Sequence, residues 1–122
     1  MKSSNKLSMH RGDTARFYFQ RLDAEGNVIT TKADELYFTV KSSTQNTNYE
    51  FQIRIDDMEF DEEDGTYHFT VQPADTNGLN FTKMHYYDVE VIDSGVKTTI
   101  ALGEFHLKPE VTWAINEGGE SE

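Results

Sequence analysis

The side chains in this 122-residue sequence whose types could do chemistry are four histidines, one run of carboxylates and an Arg-Gly-Asp triplet. His10, His68, His85 and His106 stand singly. No two have the i, i+4 spacing with which a helix grips zinc, and none belongs to a His-Glu-x-x-His arrangement. Three fall in strand-like stretches, where a histidine reads as a surface neighbour across the ladder. The run Asp56-Asp57-Met58-Glu59-Phe60-Asp61-Glu62-Glu63-Asp64-Gly65 has oxygens enough for calcium, yet Glu62 stands where an EF-hand loop requires glycine. It reads as a solvated loop whose charge keeps strand ends from sticking to other chains. Arg11-Gly12-Asp13 spells the integrin-ligand tripeptide, but glycine and aspartate are also what a turn demands. There is no Gly-x-Ser-x-Gly and no glycine-rich phosphate loop. The expectation is a protein with no catalytic residues, no cofactor and no metal, and therefore not an enzyme.

Composition narrows the partners. Cysteine is absent, which removes disulfides, zinc-thiolate sites and thiolate nucleophiles. Twenty-two acidic against eleven basic residues give a net charge of -11, which opposes a phosphate backbone, so nucleic acid is not expected as a partner. No apolar run approaches the length of a membrane span, and the polar start Met1-Lys2-Ser3-Ser4-Asn5-Lys6 has no apolar stretch behind it. A protein assembled in the cytoplasm, without a membrane partner, is the expectation. The charge is uneven: residues 1–16 carry Lys2, Lys6, Arg11 and Arg16 against Asp13, a sum of +3, whereas residues 49–65 carry eight carboxylates against Arg54, a sum of -7. If these segments face different directions, unlike charges meet head to tail between neighbouring copies.

The elements that must position these groups are strands. Tyr67, Phe69 and Val71 alternate with Thr66, His68 and Thr70, and Tyr87, Val89 and Val91 repeat the pattern, as if to line the same wall. Leu36, Phe38 and Val40 alternate likewise, as do Tyr49, Phe51, Ile53 and Ile55. A first strand is expected over Lys6 to His10 and a second over Thr14 to Leu22, with Ala15, Phe17 and Phe19 inward. The last runs from Thr98 to Lys108, where Ile100 and Leu102 change parity with Phe105 and Leu107, which predicts a bulge at Gly103. Asp23-Ala24-Glu25-Gly26-Asn27 and Asp93-Ser94-Gly95 read as turns, and Pro73 to Leu79 as at most one turn of helix. Seven or eight strands with a turn every ten residues or so predict an all-β, immunoglobulin-like antiparallel β-sandwich. Residues 6–115 form its single domain, with a flexible leader at 1–5 and a disordered acidic tail at 116–122. Most of the fourteen tyrosines and phenylalanines take the inward parity and belong to the core. Tyr18, Tyr37 and Tyr86 do not. With Trp113, the charged Lys6, Arg11, Asp61 and Glu63, they are the interface candidates.

Several short motifs follow one another along the chain: Arg11-Gly12-Asp13-Thr14, Asp23-x-x-Gly26, Tyr37-x-Thr39-Val40-Lys41, Asp64-Gly65-x-Tyr67, Asp75-Thr76-x-x-Leu79, Tyr86-Tyr87-Asp88-Val89 and Gly103-x-Phe105-x-Leu107-x-Pro109-x-Val111-Thr112. Over residues 7 to 113 this layout resembles the immunoglobulin-like N-terminal module of bacteriophage baseplate upper proteins and related tail or neck accessory proteins of phages and prophages. The resemblance implies a virion structural protein assembled in the bacterial host cytoplasm, docking to other virion proteins and arranged as a homo-oligomer in the particle. It implies no catalytic residue. Receptor-side members continue into a linker and fibre beyond the position of Thr112, so an adaptor or decoration protein is the expected kind. A bacterial immunoglobulin-like module that binds carbohydrate or protein through loops is the competing expectation.

Overall fold

The computed structural model describes residues 5–43, 45, 48–80 and 82–109. Eight strands follow one another: β1 Asn5–His10, β2 Ala15–Gln20, β3 Glu35–Lys41, β4 Phe51–Arg54, β5 Glu59–Asp61, β6 Thr66–Val71, β7 His85–Asp93 and β8 Val96–Lys108. A 3-10 turn, Ile55–Asp57, separates β4 from β5, and a single helical turn, α1 Pro73–Thr76, follows β6. The strands form two sheets, β1-β8-β7-β3-β4 and β2-β6-β5. All pairings are antiparallel except that β1 runs parallel to β8.

This order is the immunoglobulin one. β2, β6 and β5 occupy the places of strands B, E and D, while β3, β7 and β8 occupy C, F and G. β4 takes the extra place that variable-type domains add beside C. Antibody domains bridge their sheets with a disulfide against a tryptophan. Here aromatic rings do that work: Phe38 of one sheet meets Phe69 of the other at 4.6 Å between centroids, and Phe17 meets Phe105 at 6.5 Å. Leu36, Phe38, Val40, Tyr67, Val71 and Phe105 are at most 1% exposed. Offset and tilted ring pairs of this kind add to the burial of large apolar area.

Several expectations change in detail. Tyr67, Phe69 and Val71 do not line the same wall as Tyr87, Val89 and Val91; they belong to opposite sheets and face each other across the core. Phe17 and Phe19 are half-buried rather than buried, because β2 is an edge strand. Tyr49 lies outside β4 and is 50% exposed, while Ile55 is buried but starts the 3-10 turn. The acidic run is not all loop: Glu59–Asp61 pairs with β6, seating Phe60 against Tyr67 at 4.6 Å. Thr66, expected to be wet, is buried beneath Gln20. The bulge falls at Ile100, since Val89 pairs with Ala101 and Glu90 with Thr99. That extra residue places Gly103, Phe105 and Leu107 inward and leaves Leu102 56% exposed. β1 begins at Asn5, within the expected leader.

Candidate functional site

The motif residues tie the loops to the sandwich. In the Arg11-Gly12-Asp13 turn, Gly12 adopts φ 83° and its N–H donates to the Thr76 hydroxyl at 2.8 Å, while Arg11 Nη1 donates to the Leu79 carbonyl at 3.2 Å. Thr76 is fully buried. Two motif pieces more than sixty residues apart in sequence thus form one clasp. The triplet's arginine is engaged within the fold, which fits a structural turn and not an adhesion ligand. Asp23 Oδ1 accepts from the N–H groups of Glu25 and Asn27, and Gly26 takes φ 89°, closing the next turn. Gly65 takes φ 75°, and a Cβ there would lie 2.7 Å from the Ile29 carbonyl oxygen. Two residues on, the Tyr67 hydroxyl accepts the Ala33 N–H at 3.0 Å.

The outer face of the five-stranded sheet collects three of the interface candidates in register. Lys41, Tyr86, Glu104 and Lys6 lie in one row across β3, β7, β8 and β1. The next row runs Gln52, Thr39, Asp88, Leu102, and a third runs Arg54, Tyr37, Glu90, Thr99. Between the first two rows is a groove of about 510 Å³ beside Tyr86, Asp88 and Leu102. Polar groups in and around it are paired: Gln52 Nε2 donates to Thr39 at 3.0 Å, His106 Nε2 meets Glu104 at 2.8 Å, and Lys97 pairs with Glu90 at 3.6 Å. The Tyr37 hydroxyl donates to Glu35, and the Arg54 guanidinium stands 5.7 Å from the centre of the Tyr37 ring. Asp88 is different. Its Oδ1 is buried without a partner, and burial, reinforced by the nearby Glu90 carboxylate, lifts its carboxyl above the usual range.

The remaining candidates separate from that face. Tyr18, 74% exposed, stands over His68 at 6.0 Å on the outer face of the three-stranded sheet, where Asp61 also lies at the β5 edge. Glu63 is in the turn that follows, its N–H donating to Asp61. Trp113 lies outside the described residues. The two charged segments are less separate than their sums suggest: Arg16 reaches Glu59 at 3.8 Å on one face, while Lys6 opposes Glu104 on the other. Among the described residues no three histidine or carboxylate side chains gather closely enough to hold a metal ion.

Two buried ionisable residues depart from the sequence reading, His85 against the expectation of a surface neighbour. Arg21, 6% exposed, pairs with Asp93 at 3.3 Å and donates to the Thr31 carbonyl at 2.7 Å. Its inward parity after Phe17 and Phe19 was the available signal. His85, 2% exposed, shares the inward parity of Tyr87 and Val89, and burial pushes its imidazole below the ordinary range against a smaller opposing pull from Glu50.

No protein-family model and no curated protein matches this chain. Among solved structures it is similar to the human natural-killer-cell receptor Nkp44, described as a triggering partner in natural cytotoxicity. The identity is 12%, with 89% of this chain and 100% of that one covered, and the TM-score is 0.48. A likeness of that size carries no functional argument, and the fold rests on this chain's own strand order.

Proposed function

We propose that this chain is a non-enzymatic assembly module of a bacteriophage or prophage virion, an adaptor or decoration protein of the tail, baseplate or neck. In the particle it contacts other virion proteins and further copies of itself, with neither nucleic acid nor membrane as partner. The observation that carries the reading is the ordered set of motifs. Their residues make the Gly12–Thr76 clasp, the Asp23 turn and the Gly65 approach, so the resemblance is one of scaffold. A scaffold of this kind offers sheet faces and edges for docking, and the outer face of the five-stranded sheet, with exposed Leu102 beside Tyr86, supplies one.

The test is the composition of purified particles from a host carrying the gene. Stoichiometric copies of this chain, cross-linked to tail, baseplate or neck proteins, are the expected result. Its absence from intact particles contradicts the proposal.

One observation favours a second reading as a bacterial carbohydrate-binding module. The groove beside Tyr86 combines a ring with the half-buried Asp88 carboxylate, a pairing suited to a sugar's apolar face and hydroxyls. Binding on a glycan array that is lost in Tyr86→Ala, from a protein missing in particles, supports that reading instead.

A further inference from the structure

The sandwich is open along one side. Among the described residues β2 pairs only with β6, so its other edge carries unpaired backbone N–H and C=O groups along six residues. Across from it β1 pairs only with β8. Between these two edges runs a slot of about 360 Å³ that reaches the core rings themselves, with Phe17, Phe19, Phe38, Phe69, Tyr87 and Val89 among its walls. An edge that bares both hydrogen-bonding groups and apolar core is the receiving half of a strand-addition contact. Backbone pairing supplies attachment, and alternate side chains fill the slot.

The occupant must be extended and apolar at every second residue. Outside the described residues the sequence offers Val111, Trp113 and Ile115 on one parity and Thr112 and Ala114 on the other. Residues 1–4, Met-Lys-Ser-Ser, lack that pattern. We propose that residues 111–115 of one copy add to the β2 edge of another and seat Val111, Trp113 and Ile115 in the slot between β1 and β2.

The donor comes from a second copy because of reach. β8 is one strand in from the edge and ends at Lys108, beside His10 of β1. To arrive at the outer edge of β2, the chain must pass β1 and then the gap between sheets, roughly 15 Å from strand and sheet spacings of about 5 and 10 Å. Pro109 and Glu110 span about 7 to 11 Å at full extension, and they must also reverse direction. A donor that enters its neighbour repeats head to tail, closing into a ring when the rotation allows. This inference stands on the slot and the alternation, and does not require a virion.

Trp113 is the sole tryptophan, so the intrinsic fluorescence of the full-length chain reports on this segment alone. On concentration from low micromolar upward, the emission is expected to shift to the blue in step with an increase in sedimentation coefficient. The double variant Val111→Asp with Ile115→Asp, which leaves the described fold untouched, is expected to abolish both changes. Phe17→Ala, on the receiving side, is expected to weaken them. An emission independent of concentration overturns the proposal, whether blue, as for a segment folded onto its own copy, or red, as for one in solvent. A shift that survives the double variant also overturns it.

Discussion

Neighbouring strands β2 and β6 carry nearly the same pattern and meet different fates. Phe17 and Phe19 face Phe69 and Tyr67 across the ladder, and each strand turns every second residue to the core. Yet Tyr67, Phe69 and Val71 are 0%, 4% and 0% exposed, whereas Ala15, Phe17 and Phe19 are only half-buried. The difference is position: among the described residues β2 has a paired strand on one side, whereas β6 lies between β2 and β5 over Thr66–His68 and beyond that sets Phe69 directly against Phe38 of the other sheet. Alternation fixes which face a side chain takes. Neighbours fix how much water it loses.

Phe69→Ala should have the largest effect, costing about 3 to 5 kcal/mol, because its ring packs on Phe17, Phe19 and Phe38 in the middle of the core. Denaturant melting measures it. Next comes Asp93→Asn, which strips the charge partner from Arg21 just past the end of β2. The expected loss is about 2 to 3 kcal/mol, below that of a wholly buried pair since Asp93 is 42% exposed. Gly65→Ala, at the entry to β6, forces a Cβ into left-handed backbone against the Ile29 carbonyl and should cost about 2 kcal/mol. Phe17→Ala is the counterpart of Phe69→Ala on the edge strand, and about 1 to 2 kcal/mol is expected in dilute solution. An equal cost for the two phenylalanines would break the comparison.

The smallest effect is a pH dependence at Asp88. Because its carboxyl is raised when folded, the folded chain holds that proton more tightly than the unfolded one. Its contribution to stability is therefore greatest below the ordinary aspartate value and is lost as pH rises through the raised one. Asp88→Asn should increase the melting temperature near neutral pH and leave it unchanged near about pH 3. A gain of the same size at both pH values would contradict the assignment.

Most of the scaffold was legible because period-two patterning in β3, β6 and β7 is a local property, as is the Ser94-Gly95 turn, with φ 54° and 80°. β5 was hidden by charge. Met58 and Phe60 do alternate, but they sit among seven carboxylates, and only pairing with β6 makes Glu59–Asp61 a strand. The bulge was recognised from parity and misplaced from composition: glycine marked Gly103, whereas the pairing slips at Ile100. For the candidate site, parity sent Tyr18, Tyr37 and Tyr86 outward but could not say that Tyr18 faces away from the other two. The slot was illegible for a deeper reason. It exists between β1 and β2, which belong to different sheets, and no local pattern reports which strands lie beside one another across sheets.

Amide hydrogen exchange tests the central contrast between the closed and open sides of the sandwich most directly. In dilute solution, the β6 amides bonded to β2 or β5 should exchange only through global unfolding, while the β2 amides on the edge away from β6 exchange orders of magnitude faster. Those same β2 amides should slow as the chain is concentrated. Uniform protection of β2 and β6 in dilute solution would contradict the account.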